Sequence, residues 1–335
     1  MREQFLAAIA KSFKRVLRVR HVTRYQYDRP IERSELRMIL QPMHDSRQQV
    51  ITSSLKLDPA VPLVEYEDVF GNHAVRATMQ QPYTELTIAA ESDVALSDID
   101  PFAFANSPIR PTFPLVWMPW ERTMLEPYLT CVELPETQIK EIYDFAMSFA
   151  EANNHDLMET LFAINLTLFR DFAYVPGSTH LETTPFEVLM TKKGVCQDFA
   201  NLFIAMARLL NIPARYVCGY IHTGNTGENR AQSDASHAWV QLYIPKVGWK
   251  GFDPTNGVLT HTAHVRVGYG RHFRDCTPTA GTLYTAATET MSIDVEVIDL
   301  TETVQNSDVP APAVSSTDPT EPPKDIAAVP SGVAG

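Results

Sequence analysis

The chain has 335 residues, of which 44% are hydrophobic and 20% charged, so it can form a sizeable core in one large domain or two smaller ones. Its net charge of −12 at pH 7 argues against nucleic-acid binding, which needs a basic surface to neutralise phosphates. No apolar run approaches the roughly 18 residues that a membrane-spanning helix requires.

The composition predicts neither a metal nor an organic cofactor. The four cysteines are few for this length, and their spacings match no CxxC zinc or redox pattern. The ten histidines include no HExxH motif, and the chain has no glycine-rich nucleotide-binding loop. Near the N-terminus, the apolar run LAAIA is short and closely followed by basic residues, which does not fit a secretory signal. A cytoplasmic protein with reduced thiols is therefore predicted.

The first part of the chain is predicted to be a β-rich domain over residues 16–110. The run VLRVRHVTRYQY alternates apolar with polar positions, which is the period of a half-buried strand. Similar short runs follow, separated by turn-forming residues such as Gly71-Asn72. This pattern favours an antiparallel, sandwich-like module. Residues 111–134, rich in proline and aromatic residues, are expected to form an ordered linker.

From residue 135 the period of the apolar positions changes to that of helices. Several amphipathic segments end in the strongly apolar run CQDFANLFIAMARLLNI, and three strand-like runs follow: RYVCGYI, HAWVQLYI and GWKGFD. An α+β domain over residues 135–300 is predicted, in which MSIDVEVIDL could form an edge strand. Residues 301–335, rich in Pro, Ser, Thr and Ala, are expected to be a disordered tail.

Cys196 is the candidate nucleophile, because it follows Gly194-Val195 and opens the apolar helix. At a helix start the free backbone amides and the helix dipole favour a thiolate, and the same amides could hold an oxyanion. A lone cysteine on an apolar helix would more often be a buried structural residue. Two later residues, a histidine and an aspartate, make the catalytic interpretation the stronger one.

His237 begins the run HAWVQLYI, and Asp253 lies 16 residues further on within GWKGFDPTN. If these runs pair through a turn centred on Pro245, His237 lies directly opposite Asp253. If the turn is centred between Lys246 and Val247, residue 237 pairs with 256, and a bulge must absorb the offset. Either register allows the carboxylate to accept the imidazole N–H and stabilise the imidazolium. A turn-forming role before Pro254 is the competing interpretation for Asp253.

Four segments together resemble the signature of the transglutaminase-like superfamily, which is related to papain-like enzymes. They are GVCQDFA (194–200), CGYI (218–221), SHAW (236–239) and FDPTN (252–256). The resemblance implies a papain-like core with a Cys196–His237–Asp253 triad. HVTRYQY (21–27), Gln41-Pro42 and DVFGN (68–72) resemble the β-rich N-terminal domain of a microbial, bacterial branch of that family.

Four further residues are candidates for supporting roles. Tyr174 could donate its hydroxyl to an oxyanion, although ordinary packing is the commoner role for such a residue. Gln197 follows the cysteine and could contact the same oxyanion. Asp198 lies in the first helical turn, where an anion suits the dipole, so a structural role is favoured. Trp239 shares a strand face with His237 and could form either a wall of the site or part of the core.

The predicted activity is acyl transfer through a thioester on Cys196, with a peptide or protein as the substrate. The same triad serves hydrolysis and transamidation. Because the resemblance implies that microbial members are more often hydrolases, a cysteine peptidase or amidase is favoured over a transglutaminase. A non-catalytic peptide-binding module is a third possibility, but no triad member is missing. Loop 223–234 is expected to be a mobile lid, and the oligomeric state is left open.

Overall fold

The computed structural model describes residues 13–97, 101–102, 110–131, 133–180, 182–224 and 236–301. The expected tail, apart from Thr301, and most of the expected lid lie outside these described residues. In chain order the strands are β1 (Arg15–Ile31), β2 (Ser34–Met38), β3 (Gln48–Asp58), β4 (Leu63–Glu67), β5 (His73–Met79), β6 (Tyr83–Leu96), β7 (Ala173–Tyr174), β8 (Lys193–Gly194), β9 (Ala214–Ile221), β10 (His237–Ile244), β11 (Gly248–Asp253), β12 (Val258–Leu259), β13 (His264–Gly270), β14 (Thr279–Leu283) and β15 (Glu289–Asp299). The α-helices are α1 (Pro119–Leu129), α2 (Glu136–Ala152), α3 (Leu157–Asp171), α4 (Pro185–Thr191) and α5 (Cys196–Leu209).

The N-terminal domain is built from two four-stranded antiparallel sheets, ordered β15-β1-β6-β3 and β14-β2-β5-β4. Apolar residues on alternate strand positions fill the space between the sheets, among them Ile31, Met38, Met79 and Ile88, each no more than 2% exposed. This alternation is the sequence signal that predicted strands, because side chains of a strand point in turn to opposite faces. The predicted all-β N-terminal domain and the α+β class are therefore confirmed.

The last two strands of the chain return to the N-terminal domain. Strand β14 pairs with β2, and β15 pairs with β1 over eleven residues, from Leu17 opposite Asp299 to Tyr27 opposite Glu289. MSIDVEVIDL is thus an edge strand, but it belongs to the first sheet rather than to the catalytic one. The expected domain range 135–300 therefore includes two strands that belong to the N-terminal sheets. The sequence did not predict this, because alternation along a strand carries no information about its partner. The expected linker 111–134 contains α1.

The second unit has a five-stranded antiparallel sheet, ordered β12-β11-β10-β9-β13, with α5 packed across one face. Phe203 of α5 lies edge-on against Phe252 of β11, with ring centroids 5.9 Å apart. Both rings are fully buried in the main core cluster. The sheet therefore presents one face to the helices. On alternate positions of β10, Trp239 and Gln241 line a cavity together with Gln48 and Leu96 of the N-terminal domain.

Two buried side-chain amides, those of Gln48 and Asn72, join the N-terminal domain to strand β13. The side chain of Gln48 donates to the carbonyl of Arg266 (2.7 Å) and accepts from its N–H (2.8 Å). Asn72 makes the same double contact with Tyr269, at 2.8 and 2.9 Å. Because these bonds satisfy backbone groups on the free edge of the catalytic sheet, they fix where β13 lies.

Candidate active site

Cys196 is the first residue of α5 and is half-buried. The carboxylate of Asp198, two residues later, accepts hydrogen bonds from the Val195 N–H (2.8 Å) and the Thr179 hydroxyl (2.6 Å). Burial raises the pKa of Asp198 and outweighs these two bonds, which act in the opposite direction. Asp198 thus caps the helix, as its position in the first turn predicted. The first amides of α5, at Cys196 and Gln197, have no partner inside the helix and point toward the thiol end.

Gly194 allows this capping, because a Cβ at that position would lie 2.8 Å from the Cβ of Asp198. Gly194 also pairs with Tyr174 through the short parallel strands β7 and β8. This pairing brings Tyr174 close enough to Cys196 for their charges to interact. Burial, followed by the neighbouring Cys196 and Asp198, raises the pKa of Tyr174 to about 12, so its hydroxyl keeps its proton at neutral pH.

His237 and Asp253 meet across neighbouring strands, with His237 Nε2 2.8 Å from Asp253 Oδ2. Strands β10 and β11 pair with Ile244 opposite Gly248 and Val240 opposite Phe252, which centres the turn on Lys246. Neither register considered from the sequence is the observed one, because the real turn lies between the two alternatives. Extended beyond its last pair, this register would place Asp253 across from Trp239. His237 therefore reaches Asp253 diagonally on the same face of the sheet.

The carboxylate of Asp253 is fully buried and accepts five hydrogen bonds. Backbone N–H groups of Thr255 and Asn256 donate to Oδ1, at 3.0 and 3.2 Å. The Asn256 amide donates to Oδ2 at 2.7 Å, beside His237 and a second histidine, His264, at 3.1 Å. The turn at Pro254 and the histidine contact are thus both real: the backbone N–H groups of the turn use Oδ1, whereas the Asn256 side chain shares Oδ2 with the two histidines.

Electrostatics at the pair favour an imidazolium against a carboxylate. Burial lowers the pKa of His237, but the charge of Asp253, the hydrogen bond to it, and a hydrogen bond and charge interaction with Cys196 together raise that pKa to about 10. For Asp253, burial raises the pKa, and the two histidines more than reverse this effect, so its pKa lies well below the usual carboxyl range. Since Nε2 of His237 is bonded to Asp253, Nδ1 is the nitrogen left for the thiol.

The sequence interpretation assigned no role to His264, the first residue of β13. It is 4% exposed, and its ring lies 5.3 Å from the Trp239 ring in an edge-on arrangement. Trp239 is fully buried beside both His264 and His237, and its indole N–H has no hydrogen-bond partner among the described residues. A position eleven residues after Asp253, at the start of a clearly alternating run, was the only sequence signal for His264.

His237, Asp253 and His264 form a set of ligand types that could hold a metal ion. However, the atoms that a metal would need are already bonded to one another, since Oδ2 of Asp253 accepts from Nε2 of both histidines. A metal would have to displace both protons inside a buried site. We therefore interpret the cluster as a hydrogen-bond network, and the expected absence of a metal cofactor stays a prediction.

Gln197 is half-buried and lines a cavity of about 610 Å³ beside the start of α5. The cavity also borders α1, α4 and the segment after β13, through residues that include Pro185, Arg271 and Phe273. Its position next to the residue after Cys196 makes it the candidate substrate cleft.

The fold and the site together define a papain-related, transglutaminase-like cysteine enzyme. The model of the transglutaminase-like superfamily matches residues 143–254, and that of the bacterial transglutaminase-like N-terminal region matches residues 17–95. The chain belongs to this superfamily, whose members are generally cysteine-dependent enzymes. No helix in the described parts of the chain is long and apolar enough to cross a bilayer.

Relatives extend the likeness over most of the chain. An uncharacterised protein of Mycobacterium tuberculosis is 33% identical over 293 residues, covering 84% of this chain and 91% of that protein. A solved "putative cysteine protease" from Cytophaga hutchinsonii shares the fold, with a TM-score of 0.68, 22% identity, and coverage of 85% of this chain and 91% of that one. A protein-glutamine gamma-glutamyltransferase of Pseudomonas aeruginosa is 33% identical over 90 residues, which is 25% of this chain and 13% of that protein.

Proposed function

We propose that the protein is a cysteine peptidase or amidase in which Cys196 is the nucleophile, His237 the base and Asp253 the residue that orients the histidine. The observation that carries this proposal is the 2.8 Å bond between His237 Nε2 and Asp253 Oδ2, with the other side of the ring interacting with the Cys196 thiol. A buried carboxylate in that position fixes the tautomer and stabilises the imidazolium.

The reaction would begin from a resting pair in which His237, with its pKa raised to about 10, already holds the Cys196 proton. The thiolate attacks the substrate carbonyl, and the oxyanion is held by the first amides of α5 and by the Tyr174 hydroxyl. The carbon–nitrogen bond then breaks as the imidazolium gives its proton to the leaving amine. Water, deprotonated by His237, attacks the thioester, and the acid leaves as the proton returns to the Cys196 sulfur.

Thiol alkylation of the full chain tests the nucleophile without a known substrate. We expect iodoacetamide to modify Cys196 faster than Cys131, whose pKa is raised by burial. Replacement of His237 by Ala should remove this difference, because the thiolate loses its imidazolium partner. Equal labelling of Cys196 and Cys131 in the wild-type protein would support a non-catalytic binding module instead.

Hydrolysis and transamidation differ only in the acceptor of the acyl group. The names of two similar proteins, a cysteine protease and a glutamyltransferase, represent both outcomes. A glutamine-peptide library, incubated with and without a primary amine, separates the two activities. Release of free acid as the main product would support the hydrolase, whereas amine incorporation exceeding hydrolysis would make the protein a transglutaminase.

A further inference from the structure

We propose that His264 is a positioning residue for the catalytic pair: it donates a hydrogen bond that holds the Asp253 carboxylate in line with His237. This inference rests on the proposed function of Cys196, His237 and Asp253. It assigns a role to a side chain outside the triad and to the strand, β13, that carries it.

The hydrogen bonds around His264 define which of its nitrogens is protonated. Its Nδ1 accepts from the backbone N–H of His261, at 3.3 Å. A nitrogen that accepts carries no proton, so the proton of the neutral ring is on Nε2, which faces Asp253 Oδ2 at 3.1 Å. His264 is therefore a donor to the carboxylate and does not compete with His237 for the role of base.

Three donors converge on Oδ2 of Asp253 from different directions. Asn256 comes from the same turn, His237 from β10 and His264 from β13. Without the bond from β13, the carboxylate would be held by its own turn and by His237 alone, and its terminal torsion is a soft, broad one. The bond from β13 opposes such rotation and keeps the oxygen directed at the His237 ring.

The ring of His264 is itself held in place. Trp239 packs edge-on against it at 5.3 Å, and His261 lies 5.1 Å away on its own loop. Strand β13 is anchored to the N-terminal domain through the amides of Gln48 and Asn72. The N-terminal domain thus acts on the site by fixing the strand from which His264 donates.

The test follows the pH dependence of Cys196 alkylation in three variants of the full chain. His264→Leu keeps much of the volume and removes the donor. His264→Gln places an amide donor near the former Nε2. His264→Asn, which can still accept from the His261 N–H but does not reach Asp253, serves if the Leu variant does not fold. The buried thiols of Cys218 and Cys276, 5% and 0% exposed, report folding because they stay unlabelled in the native protein.

We expect His264→Leu and His264→Asn to move the acid limb of the alkylation profile to higher pH by up to about one unit, which slows alkylation about tenfold on that limb. The cause is a less well-oriented carboxylate, which stabilises the imidazolium and hence the thiolate less. His264→Gln should stay within about twofold of wild type, because it restores a donor. The charged and titratable groups around His264 are Asp253 and His237 on the sheet, His261 on its loop, and Arg266 on its own strand, and all four are retained.

A matched control is His21→Leu, which removes another buried histidine, on β1, outside the site. It should lower stability and leave the alkylation profile of Cys196 unchanged. If His264→Leu is folded and its pH profile of Cys196 alkylation is the same as that of wild type, the positioning role is overturned. The role is also overturned if the alkylation profile of His264→Gln shifts as much as that of His264→Leu. If wild-type Cys196 itself reacts no faster than Cys131, it is the proposed function that fails.

Discussion

His237 and Asp253 are joined by a 2.8 Å hydrogen bond although the register of their strands does not place them opposite each other. The contact is diagonal, between a residue at the start of β10 and one at the end of β11. Both side chains are on the face of the sheet that Trp239 and His264 share, away from α5. Cys196, at the start of α5, interacts with the same His237 ring.

Replacing Asp253 by Asn should abolish most of the activity and destabilise the fold. An amide has one acceptor oxygen, whereas the five hydrogen bonds to Asp253 use both carboxylate oxygens. We expect alkylation of Cys196 at pH 6 to fall at least about tenfold and peptide turnover about a thousandfold, with a loss of about 2–4 kcal/mol in the free energy of unfolding. Alkylation kinetics and urea denaturation measure these effects.

Asp144→Asn is the control for this change, because Asp144 pairs with Lys140 on the exposed surface of α2, away from the site and the cleft. It should alter turnover by no more than about twofold. An Asp253→Asn variant with wild-type alkylation would contradict the orienting role of the carboxylate.

Replacing Tyr174 by Phe separates the oxyanion role from activation of the thiol. Peptide turnover should fall about tenfold to a hundredfold, because one donor to the developing oxyanion is lost. Alkylation by iodoacetamide forms no oxyanion, so its rate should stay within about twofold. Both rates are measured on one preparation, so that alkylation is the internal control. A parallel fall of both rates would mean that Tyr174 acts on Cys196 and not on the oxyanion.

Acidification should destabilise the protein through His21. Burial lowers the pKa of this residue from 6.5 to about 4. Between pH 4 and pH 6.5, His21 is therefore protonated in the unfolded chain and neutral in the folded chain. This contribution to stability is present above pH 6.5 and is lost as the pH falls toward 4; at pH 5 the loss is about 2 kcal/mol. The free energy of unfolding of His21→Leu, measured with urea, should therefore decrease less between pH 7 and pH 5 than that of wild type.

Thr23→Val provides the comparison for His21, because it removes the hydroxyl at 2.9 Å from His21 Nε2 and leaves the imidazole in place. Its pH slope should match that of wild type. Equal slopes for all three proteins would show that His21 is not the group responsible.

Gly219→Ala should separate β9 from β13 and disturb the site. A Cβ at Gly219 would lie 2.0 Å from the carbonyl oxygen of Val265 and 2.7 Å from the Trp239 ring. Because backbone must move to make room, we expect a loss of more than about 3 kcal/mol in unfolding free energy and a lower alkylation rate of Cys196. Gly177→Ala is the control: its Cβ meets no atom within 4 Å, and its cost, from a φ of +73°, should be about 1 kcal/mol.

Thermal melts of Gly219→Ala and Gly177→Ala measure the two losses of stability, and the melting temperature of Gly219→Ala should be the lower one. Equal melting temperatures for the two variants would contradict the close packing between β9 and β13.

The local features of this protein could be predicted from its residues alone. Alternation fixed the strands of the N-terminal domain, helical spacing fixed α5, and the position of Cys196 at its first turn followed from the glycine before it and the apolar run after it. These features depend on residues that are neighbours in the chain. The motifs around Cys196, His237 and Asp253 predict that these side chains gather, and the 2.8 Å contact between His237 and Asp253 agrees with that prediction.

The pairing of the strands and their register could not be predicted in the same way. The turn between β10 and β11 could be centred at several positions that satisfy the same alternation, and the observed centre at Lys246 was not among the two considered. Strands β14 and β15 return to the N-terminal sheets, and His264 donates to Asp253. In both cases the local sequence pattern gives no information about the partner. The physical reason is that hydrophobic periodicity specifies the face that a residue occupies, whereas the contact it makes depends on packing between elements distant in sequence.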